Sequence, residues 1–324
     1  MTWDAHRGVL DRELAAINAG PFLEVATPVF VESINYATNA LVRCNTDAQG
    51  ADGEDAAPLA LFHHIIVMAD GVEVLVEASS ASACVPLVRS AFEAWLALQW
   101  MLQKQETYRA RALAWIVGDM RRRVRDLEQL DTGNPHGVDL RTDIEHDQFA
   151  RTVQVPPAEA LRQEIEKGRE GLRVPVLADT LAEFARAKAK LKREPAWFEL
   201  YDGPRTLRGL ARSLDMGAVY AVLYRAWSTT AHAGDAVRYA VAGPNGGGVI
   251  GQVRAPAELP SVTSTTAAFL NDATRRMLAK FRPGEEECYG RWYVECVQAR
   301  MGAARKIVFG PPQVAPGGRI IQRR

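Results

Sequence analysis

Excess charge is the first thing this sequence lacks: 39 lysines and arginines stand against 39 aspartates and glutamates. No global field draws the chain toward nucleic acid or anionic lipid, so any such binding has to use a local patch. Cysteine is scarce too. Cys44, Cys84, Cys288 and Cys296 form no Cys-x-x-Cys pair, which excludes a disulfide framework and fits reduced thiols in the cytoplasm. The N-terminus, MTWDAHRGVLDREL, has no apolar stretch behind a basic one, so no secretory signal is expected. The richest apolar stretches, Leu59 to Ala69 and Ala94 to Leu102, fall short of the roughly 20 residues of a bilayer span, and no membrane association is expected.

Motifs of several enzyme classes are also missing. NGGGVIG at 245 to 251 lacks the Gly-Lys-Ser/Thr ending of a phosphate loop and reads as turn glycines. There is no Gly-x-Ser-x-Gly elbow, no His-Glu-x-x-His pair and no EF-hand loop. Asp139, Asp143 and Asp147, beside Glu145 and His146, read as a solvated acidic face rather than a cation site. On a helix His63 and His64 diverge by about 100° and cannot share one ion. No metal and no cofactor are expected.

What the chain has is helical periodicity. Phe22, Val25, Val29, Phe30, Ile34 and Leu41 mark one stripe behind a start at Gly20-Pro21. A long helix is expected from Leu59 to about Gln105, kinked or split at Pro86, and another over 106–130. Residues 131–157 carry Gly133, Pro135, Gly137, Pro156 and Pro157, and read as a long loop or small subdomain. Helices are then expected over 158–170, 176–193, 205–213 and 215–233, the last ending at Gly234. The period changes at 237–254, which reads as a β-hairpin around Gly-Pro-Asn-Gly-Gly-Gly. Helices over 261–282 and 285–303 precede a Pro/Gly-rich tail, 304–324, flexible or draped. The expected fold is an all-α multi-helix bundle with one minor β-hairpin, in a single large domain, 1–303.

Two groups of polar residues interrupt the apolar pattern. Arg89 and Glu93 stand at i,i+4 in ACVPLVRSAFEAWLALQW, where charged groups need partners. In Tyr224-Arg-Ala-Trp-Ser-Thr-Thr-Ala-His232, residues Arg225, Ser228 and His232 fall at i, i+3 and i+7, on one face about 10 Å long. His232 would sit in the last turn, where the macrodipole favours its protonated form. Two readings stay open: a catalytic face, or a packed network in which Arg225 pairs with Glu93 and His232 bonds the last carbonyls. Arg121, Arg122, Arg123 and Arg125 form the densest basic cluster, either a phosphate-binding row or an ordinary solvated face.

The Arg225-x6-His232 spacing resembles that of the HEPN superfamily of helical bundles, marked by an arginine followed a few residues later by a histidine. LVRSAFEAWLALQWML together with LYRAWSTTAHAG also resembles a family of uncharacterised bacterial helical proteins with an Arg/Glu helix before a Tyr-Arg-x-x-Ser-x-x-x-His helix. The resemblance implies a metal-independent ribonuclease of antiviral defence or stress response, a homodimer with the motif at its interface, and RNA as partner. It implies Arg225, His232 and Ser228 as catalytic residues, supported by Arg89, Glu93 and Tyr224. The alternative is a non-catalytic interaction or ligand-binding protein. A third is a small-molecule enzyme using Glu93, Tyr224 and His232 in a pocket between helices.

Overall fold

The computed structural model describes residues 12–50, 52–131, 133–150, 156–224, 227, 240–242, 248–250, 254, 256–307, 309, 313–314 and 320–321. Along the chain run α1 (Arg12–Asp47), α2 (Ala56–Glu77), α3 (Ala81–Leu102), α4 (Gln105–Leu130), α5 (Val138–His146), α6 (Ala158–Leu172), α7 (Ala178–Leu191) and α8 (Leu207–Ser213). The short α9 (Gly217–Val219) passes directly into a π-helical stretch, Tyr220–Tyr224. Strands β1 (Ala240–Ala242) and β2 (Gly248–Ile250) follow, then α10 (Leu259–Phe281), α11 (Glu285–Trp292), a second π-helical stretch, Tyr293–Gln298, and α12 (Ala299–Ala304). Strands β3 (Gln313–Val314) and β4 (Ile320–Ile321) come last. The architecture is an all-α multi-helix bundle, and its contacts fall into two compact units: residues 1–49, 58–102 and 211–324, and residues 50–57 and 103–210.

In the first unit, α1 turns a stripe of Ala19, Phe22, Ala26, Val29, Phe30, Ala37, Ala40 and Cys44 inward against α10 and α12. The helix does not begin at Pro21. It starts at Arg12 and runs through both Pro21 and Pro28. An internal proline costs a helix about 3 kcal/mol, and the buried stripe on either side offsets that cost.

Pro86 likewise lies inside α3, and the break in the long apolar stretch falls at Ser79 instead. Ser79 has φ 57°, and the Ser80 N–H reaches back to the Leu75 carbonyl at 2.8 Å. That pattern closes a helix end and satisfies carbonyls that would be orphaned. By length and composition α2 and α3, 22 residues each, are apolar enough to cross a bilayer, which the shorter runs read from the sequence did not indicate. Within the protein, 61% of the α3 window is buried, as in a core helix. The α2 window is 44% buried: Phe62, Ile65, Ala69, Val72 and Val76 turn inward, while Val67 and Val74 stay exposed.

The centre of this unit is aromatic. Trp95 and Phe269 stack at 4.7 Å, and Phe92, fully buried, lies 5.5 Å from Phe269. Trp95 spends its indole N–H on Asp272 at 2.9 Å, so the buried ring leaves no polar atom orphaned.

The expected change of period at 237–254 appears as an antiparallel pair, with Ala240 opposite Ile250 and Ala242 opposite Gly248. Strand structure is not confined to that region, because Gln313 and Val314 pair with Ile321 and Ile320 in the tail. The tail's Phe309 ring also packs edge-on against Phe22 of α1, at 6.2 Å.

In the second unit, Leu113, Ala114 and Val117 of α4 meet Leu177, Phe184, Ala187 and Leu200. The 131–157 stretch belongs to this unit. It holds a 3₁₀ turn, Pro135–Gly137, capped by the Asn134 side chain, and then α5. The turn after α7 is fixed by Glu199, a buried carboxylate that accepts from the Ala196 N–H and from both terminal nitrogens of Arg193.

Candidate functional site

Helix α3 turns Val88, Phe92 and Trp95 into the first unit's core, which leaves Arg89 and Glu93 on its flank one turn apart. A charge there needs a partner. Arg89 Nε lies 3.1 Å from Glu93 Oε1, and the Tyr224 hydroxyl closes the group. Tyr224 donates to the same Glu93 oxygen at 2.8 Å and accepts from Arg89 Nη2 at 3.0 Å. The Arg89 guanidinium also lies over the Tyr224 ring, 4.9 Å from its centre.

The π-helical stretch presents Tyr224 to α3. Tyr220 stacks on Tyr224 at 4.8 Å, Phe92 packs on it at 5.6 Å, and the ring is 9% exposed. Trp227 then meets Phe92 at 6.0 Å and Phe269 at 6.3 Å, so aromatic anchors stand on both sides of residues 225 and 226. π-Helical turns are rare and recur at functional sites.

Electrostatics follow from this geometry. Burial, then the hydrogen bond to Glu93, push the Tyr224 hydroxyl up, against the opposing pull of Arg89. Burial disfavours the Arg89 charge, but the bonds to Tyr224 and Glu93 outweigh it and raise the group above its ordinary value. The raised value keeps the tyrosine a neutral donor beside the Arg89 and Glu93 pair. Glu93 is 44% exposed, and among the described residues its Oε2 has no hydrogen-bond partner.

One further contact lies on α3. His64 Nε2 of α2 bonds the Ser90 hydroxyl at 2.8 Å, while His63 points to solvent. Burial, then repulsion from His63, lowers the His64 pKa and favours the neutral ring. This pair was not legible in the sequence, because 26 residues and a helix break separate its members.

Arg225, Ser228 and His232 lie outside the described residues. The arginine row on α4 divides. Arg121 is half-buried: it binds Glu194 at 2.5 Å and covers the Phe184 ring at 5.0 Å. Arg122 pairs with Asp119 one turn back. Arg123 and Arg125 are exposed. The acidic stretch places Asp139 and Asp143 on α5, facing solvent, and among the described residues no three His, Cys, Asp or Glu side chains converge as for a metal ion.

Among known proteins, a model described as "Family of unknown function (DUF5677)" matches residues 55–248. That span runs from α2 to β2 and contains Arg89, Glu93 and Tyr224. No curated protein and no solved structure matches.

Proposed function

The chain belongs to DUF5677, a family of unknown function, and from that premise we propose that it is a HEPN-like, metal-independent RNA endonuclease of the cytoplasm, acting as a homodimer in defence or stress response. The supporting observation is the Arg89, Glu93 and Tyr224 network, which fixes the residue immediately before Arg225 to the flank of a core helix. Cleavage of an RNA phosphodiester without metal needs a proton shuttle and a cation beside the phosphate as charge builds. His232 and Arg225 are those groups, with Ser228 orienting the phosphate and Tyr224 positioning the segment that carries them.

Labelled RNA incubated in excess EDTA tests this. Wild type is expected to release products with 2′,3′-cyclic phosphate ends and to spare a DNA copy, which lacks the 2′-hydroxyl. Arg225→Ala and His232→Ala are expected to be inactive yet folded. Intact RNA with wild type, or full activity in His232→Ala, would overturn the reading.

A second reading rests on a different feature of the same network. The Tyr224 hydroxyl spends both its donor and an acceptor position inside the protein, as in a structural clamp. On that reading the chain is a non-catalytic interaction or ligand-binding protein.

A further inference from the structure

The second unit carries a pocket of about 360 Å³ lined by Trp115, Gly118, Arg121, Arg122, Arg125 and Trp197, and Asp119 and Glu194 also belong to its lining. Its position follows from the sequence of α4. Gly118 faces the 3₁₀ turn at Trp197, and a Cβ there would come within 3.1 Å of Trp197 Cβ. The missing side chain lets the indole approach the helix. Trp115, one turn before Gly118, places a second indole on the same wall.

The opposite character comes from the arginines. Arg121 is held by Glu194 and by the Phe184 ring, and Arg122 by Asp119, so two guanidinium groups are fixed by carboxylates. Among the described residues Arg125 has no ion-pair partner. Three cations against two carboxylates leave the lining with one uncompensated positive charge, carried by an arginine two turns along α4 from Gly118. An aromatic wall beside a pre-positioned guanidinium cluster suits a ligand that has a flat ring and an anionic group. The volume lies near the lower end of the roughly 300–1,000 Å³ typical of small-molecule sites, which is room for one nucleotide and not two.

We propose that this pocket binds a free nucleoside monophosphate, its base against Trp115 and Trp197 and its phosphate on Arg125. The proposal goes beyond the ribonuclease reading and stands without it, because every residue it uses belongs to the second unit.

Titration calorimetry of the full-length protein with AMP, adenosine, ribose 5-phosphate and inorganic phosphate is the test. AMP is expected to bind, with each fragment at least about tenfold weaker because it loses either the ring or the charge-assisted contacts. Arg125→Gln, at an exposed position that leaves the core untouched, is expected to weaken AMP about tenfold and to leave adenosine unchanged. A 5′-phosphorylated oligoribonucleotide separates free ligand from RNA end: it is expected to displace AMP poorly, and displacement as effective as by unlabelled AMP would assign the pocket to RNA ends instead. No AMP binding, phosphate binding as tight as AMP, or an Arg125→Gln variant equal to wild type would each overturn the proposal.

Discussion

Each unit holds an arginine, a glutamate and an aromatic ring in contact, and the two groups differ in their consequences. In the second unit Arg121 lies over Phe184 and binds Glu194, which also takes Lys188 at 3.3 Å. Phe184 has no polar atom, so this group only closes a turn onto the core. In the first unit Arg89 lies over Tyr224, and the extra hydroxyl bonds both the arginine and Glu93. One oxygen atom ties a chain segment to α3, and because it uses the same Glu93 oxygen as Arg89, the other has no hydrogen-bond partner among the described residues. The two groups differ here by a phenol hydroxyl and the bonds it makes.

The comparison breaks most severely at the rings. Phe184→Ala removes a side chain that is 1% exposed and is expected to cost about 3–5 kcal/mol in chemical denaturation, with Arg121 losing its support. Phe92→Ala, fully buried in the first unit, is expected to cost a similar amount and to loosen Tyr224 as well. Retention of wild-type stability by either variant would mean that these packing contacts are not the supports described.

The hydroxyl comes next. Tyr224→Phe is expected to lose about 1.5–3 kcal/mol, since the lost group bonds two charged partners. A double-mutant cycle with Glu93→Gln is expected to show coupling rather than additivity. Glu194→Gln, half-buried in the second unit, is expected to cost about 1 kcal/mol or less. If the two losses prove equal, the hydroxyl adds nothing and the two groups are equivalent.

Much of this could be read in the sequence, and the misses share a cause. Helical spacing located the helices because each buries one apolar stripe, and Arg89 with Glu93 announced itself as a charged pair at helical spacing in an apolar stretch. Pro21 and Pro86 looked like boundaries, yet both lie inside helices whose buried stripes outweigh a lost hydrogen bond. The actual break at Ser79 has no glycine or proline to mark it, and its left-handed backbone is offset by carbonyls satisfied at the helix end. The bonds from Tyr224 to α3 and from Arg121 to Glu194 join residues 131 and 73 positions apart. No local pattern encodes such contacts.

The smallest expected effect concerns pH. His64 has its pKa lowered below the ordinary 6.5 by burial and then by His63. Its contribution is therefore present above pH 6.5 and is lost as pH falls through the folded-state value, where the ring must take up a proton. Melting temperature in the wild type is expected to fall more steeply below pH 6.5 than in His64→Gln. Parallel pH profiles would remove the His64 and Ser90 contact from the account.

The most direct test of the central claim is the rate at which Tyr224→Phe cleaves labelled RNA in excess EDTA, beside wild type and with melting curves on the same samples. A folded Tyr224→Phe that cleaves about tenfold to a hundredfold more slowly than an active wild type is the expected result, because Tyr224, the residue next to Arg225, would lose its bonds to α3. Wild-type protein that leaves RNA intact, or a Tyr224→Phe variant that cleaves at the wild-type rate, would contradict it.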